Sequence, residues 1–276
     1  MSSPPRTPPV PAVLRLVQMV VLGRWRATGE ELYRELADLC EAAPGREILV
    51  SGCGDGVSAE WLAARTGASV TGVDADPGRL DEAEERARDR GLRGELAGAL
   101  TFQAGAPDDL PHETGVFDAA IGEPPLAAAP DPARAVAELA RVTKPMGTVV
   151  LIQLTWSSEL KTHAREMLVE RLGLRPQLLI RWKQMMREAG IVDIQVQDWT
   201  GGGPRASGAV RAVPELPRLT WQHKMQIVGR TWRRWGWREA RDAVEREKTL
   251  LRELSRERSL GFQLLKGVKW PHAAAS

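Results

Sequence analysis

Five residues constrain this chain more than any others. They are Gly52-Cys53-Gly54-Asp55-Gly56, set directly after the apolar run Ile48-Leu49-Val50. Roughly 20 residues further on, a second apolar stretch ends in Val73-Asp74, at the distance where a nucleoside fold places its ribose acid. A short buried strand, a glycine turn, a helix, a second strand and then an acid form the pattern of a nucleoside site. The glycines let a ligand come close to the backbone, and the acid can take both ribose hydroxyls. The spacing is G-x-G-x-G, whereas pyrophosphate binders carry G-x-G-x-x-G. The tighter turn favours an adenosine ligand without a diphosphate.

From residue 46 to 155 strands and helices alternate. Strands are expected at Glu47–Ser51, Ser69-to-Val73, Leu100–Ala104, Phe117-to-Ile121 and Thr148-to-Leu154. Between them, one helix runs from about Val57 to Arg65 and stops at Gly67. The next opens on Asp76-Pro77, an N-cap followed by proline at the first helical position, and runs to Gly91. Asp131-Pro132 opens a third helix in the same way. Such a sequence of βα units implies a parallel sheet with right-handed crossovers, helices on both faces and ligands at the carboxyl ends of the strands. Beyond it, Leu179 to Ala189 reads as a helix, Ile191 to Trp199 as a strand, Leu219 to Arg258 as helical, and Phe262 to Leu265 as a last strand.

At 276 residues the chain can hold one large α/β domain. With 38 basic and 36 acidic residues, whole-chain charge selects no nucleic-acid partner. Two cysteines, Cys40 and Cys53, cannot build a disulfide framework and suggest a reducing, cytoplasmic compartment. The prolines at 4, 5, 8, 9 and 11 mark residues 1–11 as a disordered tail. The apolar stretch from Val13 to Leu22 is too short to span a bilayer and reads as an amphipathic helix.

The set ILVSGCGDGVSAEWLAARTGASVTGVDADP, LTFQAGAPDDLP, FDAAIGEPPLAAAPDPARAVAELARVTKPMGTVVLI and WKQMMREAGIVDIQVQDW resembles the class I S-adenosylmethionine (SAM)-dependent methyltransferases, in particular those of small molecules, sterols and quinones. The resemblance implies a Rossmann-like α/β fold with a seven-stranded sheet, mostly parallel with the last strand antiparallel. It also implies a single methyltransferase domain over residues 12–276: a helical cap at 12–45, a core at 46–200 plus 259–272, and a helical insertion at 204–258. It implies SAM as cofactor and S-adenosylhomocysteine (SAH) as product. Residue by residue, Ser51, Gly52, Cys53 and Gly54 would line the methionine part. Asp74 would hold the ribose, and Ala75, Gly105, Ala106 and Pro107 would lie beside the adenine. Gly122 and Glu123 would sit near the sulfonium and the acceptor. No metal is implied. Glu123 is the candidate acid or base; closing the cofactor pocket is its other role.

The chain departs from the family at Val50, where an acid usually precedes the glycine turn, and at Ala106, where an acid usually meets the adenine amine. Asp108 or Asp109 is the possible substitute. Where many relatives carry a histidine after strand four, Ala127 and Ala128 stand. Without that base, an amine or a stabilised carbanion is an easier acceptor than a hydroxyl. The acceptor-side candidates are Tyr33, Trp156, His163 and Trp182, each with core packing or surface exposure as the alternative. The tryptophans suggest a small hydrophobic acceptor. The stretch from Arg218 to Arg238, six basic residues interleaved with tryptophans and no acid, reads as a solvated basic face or as a contact for a membrane lipid, with RNA ranked last as a partner. A noncatalytic SAM-fold binding protein is the remaining alternative.

Overall fold

The computed structural model describes residues 29–156, 175–199, 237, 238, 241 and 260–271. The expected tail, the helix from Val13 to Leu22, His163 and nearly all of the insertion at 204–258 lie outside the described residues. Two compact units divide the chain. One comprises Glu30–Ser158, Leu174–Ala209 and Leu260–Ser276 and holds every strand below. Of the other, the structure describes Gly29, Trp237, Arg238 and Arg241, with the Trp237 side chain exposed.

The elements are α1 (Gly29–Leu39), β1 (Glu47–Ser51), α2 (Val57–Thr66), β2 (Ser69–Asp74), α3 (Pro77–Leu92), β3 (Leu100–Ala104), β4 (Phe117–Gly122), a 3-10 turn (Pro124–Ala128), α4 (Pro132–Val142), β5 (Thr143–Trp156), β6 (Gln177–Leu178), α5 (Leu179–Glu188), β7 (Ile191–Asp198) and β8 (Leu260–Lys269). The strands order as β3-β2-β1-β4-β5-β8-β7, with β6 paired to β5 off that path. The pairs among β1 to β5 are parallel, and β8 runs antiparallel to both β5 and β7. This is the expected seven-stranded, Rossmann-like sheet with its last strand reversed; the two-residue β6 is the addition.

Local chemistry explains the boundaries. Gly56 (φ 76°) and Gly67 (φ 75°) bracket α2 in left-handed conformations that a Cβ would strain. The Asp76 carboxylate caps α3, accepting from Gly78 N–H at 3.1 Å, and Pro77 occupies the first turn. The Asp131 carboxylate caps α4 more fully, accepting from Ala133 N–H at 3.0 Å and Arg134 N–H at 3.1 Å. Such caps contribute about 1 kcal/mol each.

Several expected limits are corrected, and the last strand runs over Leu260–Lys269 rather than Phe262 to Leu265. The second helix does not stop at Gly91 but runs to Leu92, and Gly94 (φ 67°) turns the chain instead. Strand five is 14 residues long, not seven. Thr143 already pairs with Phe117, then Met146 (φ 64°) and Gly147 shift the register before Thr148 pairs with Ala119.

Apolar residues alternate across a sheet that is covered on both sides. Leu49, Ala120, Val149 and Leu151 share one core cluster with Val136 and Leu139 of α4 and with Trp182, Met185 and Met186 of α5. Ile48, Val50, Ala119, Ile121 and Val150 are equally buried on the opposite face, where period-2 alternation puts them. Unbroken apolar runs such as Ile48-Leu49-Val50 in β1 and Ala119-Ala120-Ile121 in β4 are what a two-sided burial requires. The glycine turn, Asp74, Glu123 and Trp156 thereby come to the carboxyl ends of adjacent strands.

Candidate active site

Gly52, Gly54 and Gly56 all have positive φ, at 74°, 57° and 76°. The turn is stitched to the end of β2: Gly52 N–H and Cys53 N–H both donate to the Val73 carbonyl, at 2.8 and 3.1 Å. Gly54 N–H donates to Asp74 Oδ2 at 2.8 Å, and Gly56 N–H to the Cys53 carbonyl at 3.0 Å. These four donors are spent on protein acceptors. The turn is therefore no phosphate cradle, which agrees with its tight spacing. The glycines serve shape: a Cβ on Gly56 would lie 2.6 Å from Phe102, and one on Gly72 2.9 Å from the Cys53 sulfur.

Asp74 is buried at 6% exposure. Its Oδ1 accepts from Asp76 N–H at 2.9 Å while Oδ2 takes the Gly54 N–H. A carboxylate offers about four acceptor sites, so two bonds orient it and capacity remains for a diol. Ala75 beside it is exposed. Gly105 N–H donates to the Asp74 carbonyl at 3.1 Å, and a Cβ on Gly105 would meet Pro111 at 2.7 Å and Val73 at 3.0 Å. Ala106 and Asp109 close the following turn as an isolated bridge, with Ala106 and Pro107 half-buried. The Asp109 carboxylate is 84% exposed and 3.9 Å from Arg134, so it is turned to solvent.

Glu123 follows β4 and is fastened from three sides. Its N–H donates to the Ser51 carbonyl at 3.0 Å. Its carbonyl accepts from Gln153 Nε2 at 3.0 Å, which also donates to the Gly122 carbonyl at 3.1 Å. Its carboxylate accepts from the Ser58 hydroxyl in the first turn of α2. Beside it, burial pushes the Cys53 thiol up, and the negative charges of Glu123, Asp74 and Asp55 push it further. Cys53 stays a protonated filler, not a nucleophile. Asp74 and Glu123 thus put negative charge beside the turn, while Asp55 is paired with Arg86 at 3.3 Å and Arg79 Nη1 lies near Gly54. Ser51 adds a buried hydroxyl with no partner among the described residues.

Asp55 of the turn and Glu60 of α2 brace the site. Asp55 pairs with Arg86 at 3.3 Å, and the buried Glu60 pairs with Arg90 and Arg86 of α3. Burial raises the Glu60 pKa, and the two arginines pull it back.

The acceptor candidates separate. Trp156 ends β5 with its side chain buried, and its backbone pairs with Leu178 and Leu260. Tyr33 on α1 meets Trp61 of α2, with ring centroids 5.8 Å apart and planes tilted by 40°. Trp182 corrects the expectation: fully buried in the cluster beneath α4 and α5, it is a core residue. Its spacing with Met185 and Met186 on one helical face was the available signal. Ala127 is buried in the same cluster. Ser58, Trp61 and Gln153 were not anticipated. Gln153, a polar residue inside Val149-Val150-Leu151-Ile152-Gln153-Leu154, was the legible one. Among the described residues no group of His, Cys, Asp or Glu gathers to hold a metal.

This sheet order, with a glycine turn after β1 and an acid ending β2, defines the class I SAM-dependent methyltransferase fold, and residues 49–151 match the methyltransferase domain family. The chain is 29% identical over 126 residues to methyltransferase GfsG of Streptomyces halstedii, covering 46% of this chain and 44% of that one. It spans about half the length of the curated relatives it matches. In fold it is similar to Haemonchus contortus phosphoethanolamine N-methyltransferase 2 in complex with SAM (TM-score 0.63, 18% identity, 86% of this chain and 51% of that one). It is also similar to the [4+2]-cyclase SpnF (TM-score 0.62, 21% identity, 87% and 81%). Among the described residues no helix is long and apolar enough to cross a membrane.

Proposed function

We propose that this chain binds SAM and transfers its methyl group to a small, hydrophobic acceptor, with nitrogen or carbon favoured over oxygen. One observation carries the reading: a glycine turn with four of its N–H donors spent internally lies beside the carboxylates of Asp74 and Glu123. That site disfavours a phosphate and favours a cationic adenosyl ligand with a diol. SAM would supply an activated methyl on a sulfonium. Asp74 would hold the ribose, already oriented by Gly54 and Asp76. Gly52, Cys53 and Gly54 would line the methionine part, and Gly105, Ala106 and Pro107 the adenine. Glu123 would stand at the acceptor side.

Positioning accounts for much of the acceleration of such an in-line displacement. The Glu123 carboxylate already accepts a hydrogen bond from the Ser58 hydroxyl, which weakens it as a base. An acceptor that needs little deprotonation suits it better. Trp156 and the Tyr33–Trp61 pair supply the apolar surroundings.

A second reading, ligand binding without methyl transfer, rests on Val50 and Ala106, where the family's acids are missing, and on a cyclase being built on the same fold. Calorimetry with SAM and SAH, followed by radiolabelled methyl transfer to amine, phenol and lipid panels, separates the two. No binding of either at millimolar concentration ends the cofactor assignment. Binding with no transfer favours the second reading. Transfer to lipid vesicles alone would redirect the acceptor to a membrane surface.

A further inference from the structure

Gln153 is fully buried near the end of an apolar strand, and its carboxamide is only half used. Nε2 donates to both the Gly122 and the Glu123 carbonyls. Oε1 is buried with no partner among the described residues. A leucine of similar volume would remove the unsatisfied Oε1 but take the donor away from both carbonyls. A carboxamide there is explained by what it holds.

The register says what that is. Ser51 pairs with Gly122, and Gly122 with Leu151. By alternation Gln153 shares the face of Leu151. Ser51, Gly122 and Gln153 thus lie on one face at the carboxyl ends of β1, β4 and β5. Glu123 leaves β4 between them. Its backbone is tied to β1 through Ser51 and to β5 through Gln153, and its carboxylate to the first turn of α2 through Ser58. That turn directly follows Gly56, so the carboxylate lies beside the glycine turn.

We infer that Gln153 and Ser58 are positioning residues that fix the Glu123 carboxylate as the charge by which the site tells the cationic cofactor SAM from its neutral product SAH. The inference rests on the cofactor reading above. Gln153 acts on the backbone and Ser58 on the carboxylate, so the two holds are independent. Glu123 also helps to raise the Cys53 pKa, after burial, which agrees with a carboxylate close to the turn.

Calorimetric titration of the full chain with SAM and with SAH tests this, read as the ratio of the two dissociation constants. Glu123→Gln should shift the ratio towards SAH by roughly tenfold or more, since a carboxylate facing a sulfonium in a partly buried site is a strong contact. Gln153→Leu and Ser58→Ala should each shift it in the same direction, by about threefold or more. Equal weakening of both ligands by Gln153→Leu, with the ratio unmoved, would mean that Gln153 is merely structural and would overturn the inference alone. Should Gln153→Leu not fold, Ser58→Ala decides by the same ratio. If wild type binds neither SAM nor SAH, the cofactor reading falls and takes this inference with it.

Discussion

Gly54 N–H donates to Asp74 Oδ2 at 2.8 Å across 20 residues of sequence, so the glycine turn and the acid of β2 are one unit. Removing the acid disturbs both. Asp74→Ala should weaken SAM binding by roughly tenfold or more, since a charge-assisted contact to the ribose is lost. It should also destabilise the fold by about 1–3 kcal/mol, because the Gly54 and Asp76 N–H groups lose their acceptor. Asp74→Asn keeps one acceptor oxygen and should fall between the two. Calorimetry and thermal melts read the two effects separately; unchanged affinity would remove Asp74 from the ribose.

The third glycine of the turn is a packing residue. Gly56 has φ 76°, and a Cβ there would sit 2.6 Å from Phe102 Cζ and 2.9 Å from Ala83 Cβ. Left-handed strain and overpacking together predict that Gly56→Ala costs about 2–5 kcal/mol. Denaturant unfolding should show a lower midpoint at constant slope. A melt indistinguishable from wild type would contradict the packing.

Trp182 and Trp156 should fail differently. Trp182→Ala empties a fully buried site and should cost about 3–5 kcal/mol, with SAM affinity of the folded fraction retained. Trp156→Phe, at the end of β5, should leave the melt nearly unchanged and lower methyl transfer. Equal loss of stability in both variants, with methyl transfer by the folded fraction unchanged, would make Trp156 a packing residue only.

His112 gives the fold a pH dependence of known sign. Burial lowers its pKa below the ordinary 6.5, and the nearby Arg141 charge lowers it further. Its ring packs edge-on against Phe117, with centroids 5.0 Å apart. The unfolded chain takes up the proton first as pH falls through 6.5, so stability present above that value is lost from there down through the folded pKa. The Glu138 and Asp118 carboxylates act in the same direction at lower pH. Arg141 bonds hold the first below its ordinary value. The second is held low against burial by Glu47 N–H and Lys144. Melts between pH 7.5 and 5 should fall for wild type and run flatter for His112→Gln. Parallel curves would exclude His112 as the source.

The Arg141 clamp shows where reading the sequence stops. Its guanidinium bonds both Glu138 oxygens, at 2.6 and 2.7 Å, and the carbonyls of His112 and Leu110, at 2.8 and 3.1 Å. The Glu138 side chain in turn accepts from Leu110 N–H at 2.9 Å. An arginine three residues after a glutamate on a helix predicts the pair. It does not predict the loop that both bind, because that loop arrives from about 30 residues away.

The glycine turn, the acid at its expected distance, the proline-capped helices and the apolar strands were determined by the sequence itself. Each is a local demand: positive φ at Gly56, an N-cap at Asp131, two-sided burial of Ile48-Leu49-Val50. Tertiary structure alone decided the partners. Four of the turn's N–H groups are spent inside the protein, and Glu123 is held by Ser51, Ser58 and Gln153 from three elements. Those contacts form only when β1, β2, β4, β5 and α2 meet, and no spacing along the chain encodes which side chain a folded neighbour will reach.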